Sequence, residues 1–577
     1  MGRPPYSGSS AQHVLGRVVA GPPTPLNTSL RAPAPPELVR VCETAMARVA
    51  DQRFDSADLL ADAVDQWLDD TFKREQALRL TEQALMDVHR VQGLQEQAAD
   101  KEADGNALLA TVKSWQPEDD KVAGWALIDA ARATAARAKA ADIDIDQRLF
   151  AALRMAPDLP QAHAALLHRS HQRHRQAEQD GDLADAAIHE GAMRRHLQAL
   201  PTQDPRRIAS EAYLRGDGTL SLTTSPPGAS VRLYRYTKHH RRLVETFERD
   251  LGTTPIVGEA LPMGSYLCVL SHPDHDDVRY PVHIQRQEDW STTAPGDVTP
   301  TPVWMPPAQV MSPDDVYIPA GWFASGGDPD TFGSHPARRL WCDGLVIQRF
   351  QVTNHEFIAF LDDLVAQGRA DEAMTHVPRE RSSSEETLGA VLYGRTADGG
   401  FCLQVDADGD IWEPDWPVFH LDWHSARAYL TWLAEKTGKP WRLPGELEWE
   451  KAARGVDGRL FPWGDAFDPS WCCMHDSHQG RQLATTVDSY PTDASVYGVR
   501  GVAGGVRDWC ADYEGVVDEQ RVCVPKDEDA VTGNRRVRGG SWYGPARNCR
   551  LANRDRNLTG YRVPLNGFRG VYRPDER

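Results

Sequence analysis

The chain has no stretch of eighteen apolar residues and no apolar run near its start, so the sequence offers neither a bilayer-spanning helix nor a secretory signal. Cysteine is sparse, with nine in 577 residues, an odd number scattered along the length. That usage fits a reducing cytoplasm, not a disulfide framework. Concentrated positive charge is missing too. The formal net charge is −19 and the basic clusters are short, which argues against gripping a nucleic-acid backbone. What is abundant is length: 577 residues, 41% of them hydrophobic, predict about three or four domains with buried cores.

The most informative text lies between Val537 and Arg569, where Arg538-Gly539-Gly540-Ser541-Trp542, Cys549-Arg550 and Gly567-Phe568-Arg569 follow one another. Upstream stand Val316-Tyr317-Ile318-Pro319-Ala320-Gly321, Val352-Thr353-Asn354 with Phe357, and Trp441-Arg442-Leu443-Pro444 followed by Glu446, Glu448, Trp449 and Glu450. Phe461-Pro462-Trp463-Gly464-Asp465 and Gly504-Gly505-Val506-Arg507-Asp508-Trp509 complete the order. The ordered set resembles the formylglycine-generating-enzyme, or sulfatase-modifying-factor, family, over residues 313–577.

That resemblance implies a mixed α/β fold of C-type-lectin type. It also implies chemistry, because active members oxidise a peptide cysteine using copper held by two thiolates, and soft copper(I) prefers sulfur donors. The family's cysteines stand three and eight residues after the Gly-Gly-Ser, which here are Gly544 and Cys549. Ser541, beside the substrate in the family, is kept. Cys549 and Ser541 are therefore the catalytic candidates, while a lone thiolate leaves the copper pair incomplete and favours a small buried hydrophobe at Cys549. The family's calcium motif reads Gly505 and Asp508 here, which weakens a site that needs six to eight oxygens. Asp508 remains a calcium candidate, and bracing a loop against an arginine is its alternative.

A non-catalytic binding or regulatory role follows as the expectation, with a protein or peptide ligand on Trp542, Tyr543, Arg547, Asn548, Asn553, Arg554, Arg556 and Tyr561. Aromatics, Arg and Asn are residues that interfaces use; the competing reading puts several of them, Trp542 above all, in the core. Two further readings stay open. One is a copper- or iron-dependent oxidase acting on a protein cysteine. The other is a receptor diversified by a retroelement, since such variable proteins share the lectin-type fold and an Asn-rich Gly-Gly-Ser-Trp tail.

The N-terminal part differs in character. Gly2-Arg3-Pro4-Pro5-Tyr6, Pro36-Glu37-Leu38, Cys42, Ala45-Met46-Ala47, Arg53-Phe54-Asp55-Ser56-Ala57 and Trp67-Leu68 resemble the tail of a bacterial Ser/Thr kinase C-lobe over residues 1–70. The glycine-rich loop, strand lysine and metal-binding aspartate of a kinase are absent from the sequence, so phosphoryl transfer by that mechanism is not expected. Met1 is expected to be internal to a longer gene with an upstream kinase; a degenerate remnant is the alternative. Residues 71–210 read as helices, with Leu78, Leu85 and Val88 at helical spacing and a partly tetratricopeptide-like stretch at 149–197. His168, His171 and His174, interleaved with arginines, read as a solvated helix face. Residues 217–287 alternate in period two and resemble a PEGA module, a small β-sandwich, with the basic hairpin tip Lys238–Arg242 in solvent.

Three other clusters invite chemistry and receive plainer readings. Cys472, Cys473, His475 and His478 lack zinc spacing and read as loop packing. Asp406, Asp408, Gly409 and Asp410 read as a hairpin turn. Glu446, Glu448 and Glu450 read as helix-capping acids that bind arginines such as Arg454. The whole is expected to be a multidomain α+β protein resembling bacterial kinase-linked formylglycine-generating-enzyme proteins.

Overall fold

Small residues recur every seventh position along two long helices, and this spacing lets their backbones close on each other. The computed structural model describes residues 6–21, 34–113, 115–179, 182–380, 389–406, 409–513 and 533–574. The chain divides into two compact units, Met1–Leu214 and Arg215–Arg577. The first is helical: α1 (Ala11–Ala20), α2 (Pro36–Ala45), α3 (Ala57–Ala110), α4 (Val122–Met155), α5 (Pro160–Gln179), α6 (Leu183–Gln198) and most of α7 (Pro205–Arg215).

Helix α3 starts where the Ser56 hydroxyl accepts from the Leu59 N–H, which satisfies one of the unpaired donors of the first turn. Its buried residues include Ala77, Ala84, Val91, Ala98 and Gly105, and those of α4 include Gly124, Ala131, Ala138, Ile145 and Ala152. Both series step by seven, the spacing of a coiled-coil seam. A Cβ added at Gly105 would lie 2.9 Å from the Gly124 carbonyl oxygen, so side chains are excluded at that crossing. Part of Gly2–Tyr6, which opens the kinase-like text, lies outside the described residues.

The α5 histidines do not form the solvated face expected of them. His168 is exposed, but His174 is buried, its Nδ1 2.8 Å from the Tyr213 hydroxyl. Arg169 is buried between Asp142 and Asp146, 2.6 Å from each, and Arg173 spans the same two carboxylates at 2.6 and 2.7 Å. Burial alone would raise the Asp142 carboxyl, but hydrogen bonds and charge from Arg169 and Arg173 outweigh it and hold it below the ordinary value. The face turns inward because its arginines meet the carboxylates of α4 and His174 meets Tyr213 of α7.

The second unit opens with β1 (Gly218–Leu222), β2 (Ser230–His239), β3 (Arg242–Thr253), β4 (Ile256–Leu261), β5 (Gly264–Ser271), β6 (Val278–Ile284) and β7 (Asp289–Ser291). These make a four-stranded sheet in the order β3-β2-β5-β6 and a three-stranded sheet in the order β4-β1-β7. Leu220, Leu222, Val231, Leu233, Tyr266 and Ile284 are buried between them. The β2–β3 tip keeps Lys238 to Arg241 exposed, but its base is anchored further down the chain. Leu243 N–H donates to the Trp463 carbonyl at 2.8 Å, and the Arg459 guanidinium lies 4.7 Å from the Tyr236 ring centre. One hydrophobic core therefore runs from Leu220 to Tyr572.

The remainder comprises β8 (Asp315–Ile318), β9 (Leu345–Gln348), α8 (Asn354–Ala366), α9 (Trp423–Thr437), α10 (Glu446–Arg454), β10 (Arg507–Tyr513), β11 (Asn534–Arg538), β12 (Arg554–Leu558), β13 (Asn566–Gly567) and β14 (Val571–Tyr572), with shorter strands between. Sheets β8-β9-β14 and β12-β11-β10-β13 result, so the last residues of the chain close both. Helix α8 carries a full capping box between Thr353 and Glu356. At α10 the acidic trio behaves as its spacing suggests. Glu448 accepts from the Gly445 N–H at 2.8 Å and pairs with Arg442 at 2.7 Å, Glu446 pairs with Arg554 at 2.7 Å, and Glu450 holds Arg454 and Arg538, each at 3.1 Å. At the acidic cluster, Gly409 has φ 86° and donates its N–H to the Asp406 carbonyl at 3.1 Å, while Asp408 lies outside the described residues.

Candidate functional site

Strand β11 delivers Gly539, Gly540 and Ser541 into a knot of three loops. Gly540 is forced by its neighbours, because a Cβ there would run into the Ala503 carbonyl oxygen and stand 3.1 Å from both the Cα and the Sγ of Cys549. Gly539 adopts φ 88°, where side chains are strained. Asp493 ties down the second loop: its carboxylate accepts from the N–H groups of Val502 (3.1 Å), Ala503 (3.0 Å) and Gly504 (2.9 Å). Burial pushes this carboxyl up to about 6, against the pull of those N–H groups. The third loop joins through Gly505 N–H to the Cys473 carbonyl (2.8 Å), Trp542 N–H to the Gly505 carbonyl (2.7 Å) and His475 N–H to the Gly544 carbonyl (3.1 Å).

Within the knot, Ser541 is completely buried and its Oγ has no hydrogen-bond partner. A Cβ built on Gly544 would lie 3.0 Å from that oxygen and 3.5 Å from Asn548 Nδ2. The site thus keeps the serine and the space beside it, but glycine supplies no donor there. Cys549 is also fully buried, as expected of a small hydrophobe. Its Sγ lies 3.9 Å from the Pro545 carbonyl oxygen, and it shares an apolar cluster with Cys472, Phe461, Trp463, Met474 and Ala503.

The expected ligand residues separate by depth. Tyr543 is 55% exposed, its ring 5.7 Å from His475 and 5.5 Å from Trp542. Trp542 is half-buried, donates to the Pro564 carbonyl at 2.8 Å and faces Phe419 at 6.3 Å. Arg547 and Arg556 are exposed, while Asn548 and Tyr561 are half-buried. Asn553 and Arg554 lie inside. Arg554 is spent on Glu446, and Asn553 Oδ1 accepts from the Thr331 hydroxyl at 3.4 Å, so neither side chain faces solvent.

The residues do not meet the two metals the resemblance implies in the family's manner. At Asp508, one carboxylate oxygen accepts from Trp449 Nε1 (2.8 Å) and Arg569 Nε (2.7 Å). Arg569 neutralises this carboxylate and glycine at 505 supplies no side-chain oxygen, so the motif's donors fall short of the six to eight oxygens calcium takes. For copper, position 544 brings no sulfur. Cys510, a conceivable substitute, points elsewhere, with Sγ 3.8 Å from the Asp508 carbonyl oxygen. Cys523 lies outside the described residues. Sequence reasoning missed Cys472, Asp493 and His475 as neighbours of the Gly-Gly-Ser segment; no spacing rule links them to it.

A helical first unit and a second unit with two closing sheets around a buried Gly-Gly-Ser knot make a mixed α and β protein with a β-rich C-terminal domain. Residues 301–574 match the sulfatase-modifying factor enzyme 1-like domain. The formylglycine-generating enzyme of Thermomonospora curvata is 31% identical over 44% of this chain and 91% of its own length. The serine/threonine-protein kinase pkn1 of Chlamydia caviae is 27% identical over 45% of this chain but only 38% of its own. Among solved structures, PvdO from Pseudomonas aeruginosa aligns at 22% identity and TM-score 0.34, covering 45% of this chain and 94% of that one. This chain belongs to the formylglycine-generating-enzyme, or sulfatase-modifying-factor, family through its C-terminal region. No described helix is long and apolar enough to cross a membrane.

Proposed function

We propose that the chain is a non-catalytic binding or regulatory protein whose family domain presents a surface to a protein or peptide ligand, in a kinase-linked signalling context. One observation carries this reading: Gly544 leaves the buried Ser541 hydroxyl without a partner and the family's second copper thiol without a counterpart. The exposed ligand surface is Tyr543, Arg547 and Arg556, flanked by the half-buried His475, Trp542, Asn548 and Tyr561. Its rigid aromatic contacts and adaptable polar groups suit peptide recognition. The similarity to a chlamydial kinase supports the signalling context, and the β-sandwich of β1–β7 would serve as a PEGA-like spacer.

The test has two arms. A cysteine-containing sulfatase-motif peptide incubated with the chain, copper and oxygen should yield no formylglycine by mass spectrometry; product formation would overturn the reading. Partners captured by the intact chain should be lost with Tyr543→Ala, and retention of all of them by that variant would move the binding surface elsewhere.

A further inference from the structure

Two half-buried histidines and the carbonyl of a residue between them converge in the loop that joins β5 to β6. His272 Nδ1 and His275 Nδ1 each lie 2.8 Å from the Pro273 carbonyl oxygen and 3.1 Å from each other. The backbone fixes this triangle. His275 N–H donates to the His272 carbonyl at 3.2 Å, Asp276 N–H to the Pro306 carbonyl at 2.8 Å, and Ala308 N–H to the Asp274 carbonyl at 2.9 Å. Asp274, at φ 61°, makes the left-handed turn between the two rings.

Protons alone do not satisfy three atoms so placed. The carbonyl oxygen only accepts, and each Nδ1 either donates or presents a lone pair. With both nitrogens protonated, two donors stand 3.1 Å apart with nothing to accept between them. With one protonated, the other turns its lone pair on the carbonyl oxygen at 2.8 Å, and with neither, all three contacts set lone pair against lone pair. His163 and His196 show the contrast. Their Nδ1 atoms also approach to 3.0 Å, but His163 Nε2 takes the Pro157 carbonyl at 2.8 Å, so one proton serves the contact between the rings. At His272 and His275 a cation facing the triangle satisfies all three atoms at once.

We propose that His272 Nδ1, His275 Nδ1 and the Pro273 carbonyl oxygen form one face of a site for a divalent transition-metal ion of the nickel(II) type. The edges select the geometry. An ion about 2.1 Å from three donors at right angles holds them about 3.0 Å apart, whereas tetrahedral coordination spreads them to about 3.4 Å. The edges of 2.8, 2.8 and 3.1 Å fit right angles. The donors select the element, since imidazole nitrogen beside a carbonyl oxygen suits nickel(II), while calcium and magnesium take oxygen. Among the described residues there is no group of three or more His, Cys, Asp or Glu that could hold a metal; this face has two side chains and a main-chain oxygen, and water completes the shell. Asp274, Asp276 and Asp277 on the same loop offset the ion's charge. On binding, each Nδ1 gives its lone pair to the ion, a proton on Nδ1 moves to Nε2 or to solvent, and nothing is oxidised. The ion staples the β5–β6 turn, which the 306–308 segment already braces. The site shares no residue with the Gly-Gly-Ser segment and stands whatever that segment binds.

The experiment titrates the untagged, metal-free full chain with nickel(II) by calorimetry at neutral pH. One saturable ion per chain is expected, with two imidazole neighbours and otherwise oxygen in nickel-edge X-ray absorption, and no displacement by excess calcium or magnesium. His272→Ala and His275→Ala should each weaken binding at least about tenfold, because losing a ligand costs no less than losing a ligand's support. His239→Ala, on the exposed β2–β3 tip, should leave it unchanged. Absence of saturable binding, fewer than two imidazole neighbours, or undiminished affinity in both loop variants would overturn the site. Should either variant fail to fold, the imidazole count and the calcium competition on the unaltered chain decide alone.

Discussion

Arg569 and Asp508 form an ion pair sealed from water: Nε stands 2.7 Å from Oδ2, with side-chain exposures of 0% and 1%. The same guanidinium donates to the carbonyls of Arg349 (3.1 Å) and Gly501 (3.2 Å), and Trp449 shares the carboxylate oxygen. The pair thereby joins β9, the loop before β10, α10 and the final segment. Removing one partner strands a buried charge. Arg569→Met is expected to cost about 3–5 kcal/mol in urea unfolding, and adding Asp508→Asn should recover part of that loss.

Gly544→Cys tests how much of the family pocket survives. Its Cβ would crowd Ser541 Oγ at 3.0 Å, a contact that a small side-chain shift relieves. The variant should fold with a loss of about 1 kcal/mol and bind copper(I) more tightly than the natural chain, read by competition with a chromophoric chelator. Cys549→Ser in the natural chain should reduce melting temperature without changing partner capture.

Asp512 gives a pH signature. Burial and the neighbouring Glu446 charge push its carboxyl up to about 7, from an ordinary 3.8. The folded state then holds a proton that the unfolded chain has released, so stability falls as pH rises from about 4 to about 7 and is flat in this respect above that. Asp512→Asn keeps an oxygen for the Glu446 N–H and should flatten the slope. Denaturation midpoints at pH 5 and pH 8 should converge in the variant.

The β2–β3 hairpin predicts a shared unfolding transition. Because Tyr236 and Leu243 dock on Arg459 and Trp463, a fragment of residues 215–577 should melt in one step. A fragment of residues 313–577 should melt lower and bind a hydrophobic dye, since it bares that docking surface. Equal melting temperatures would mean the contact adds nothing.

Gly105→Val should separate the long helices at their crossing. The added methyls would press on the Gly124 carbonyl and on Ile128, already within 2.9 Å of the first added carbon. A loss of about 1–3 kcal/mol is expected, with helix content by circular dichroism nearly unchanged because the helices themselves remain.

Local chemistry was the legible part of this chain. Glu446, Glu448 and Glu450 reveal their roles through spacing, because a helix start needs carboxylates and the arginines nearby need partners. Period-two text likewise foretells β1, β2 and β5. Long-range placement was not legible. Arg554 and Arg556 look alike in sequence, yet one meets Glu446 below the surface and the other is exposed on the same strand. Cys472 and Cys549 meet through loops that carry no periodicity, and Asp493 earns its three N–H donors from a loop conformation that nothing in its neighbours encodes. The inward turn of His174 depends on Tyr213 of α7, which no pattern within α5 reports.

The seven-residue seam between α3 and α4 also works as a pawl. Ala84 and Ile145 share one apolar cluster, and Ala77 and Ala152 share another, so the one bulky residue of these four lies with alanine across the seam. Sliding one helix by a heptad, about 10 Å of travel, in the sense that brings Val91 opposite Ile145 would set two branched side chains against each other and wedge the backbones apart. A repeat that could have been degenerate in register is thus opposed, in that direction of travel, by bulk.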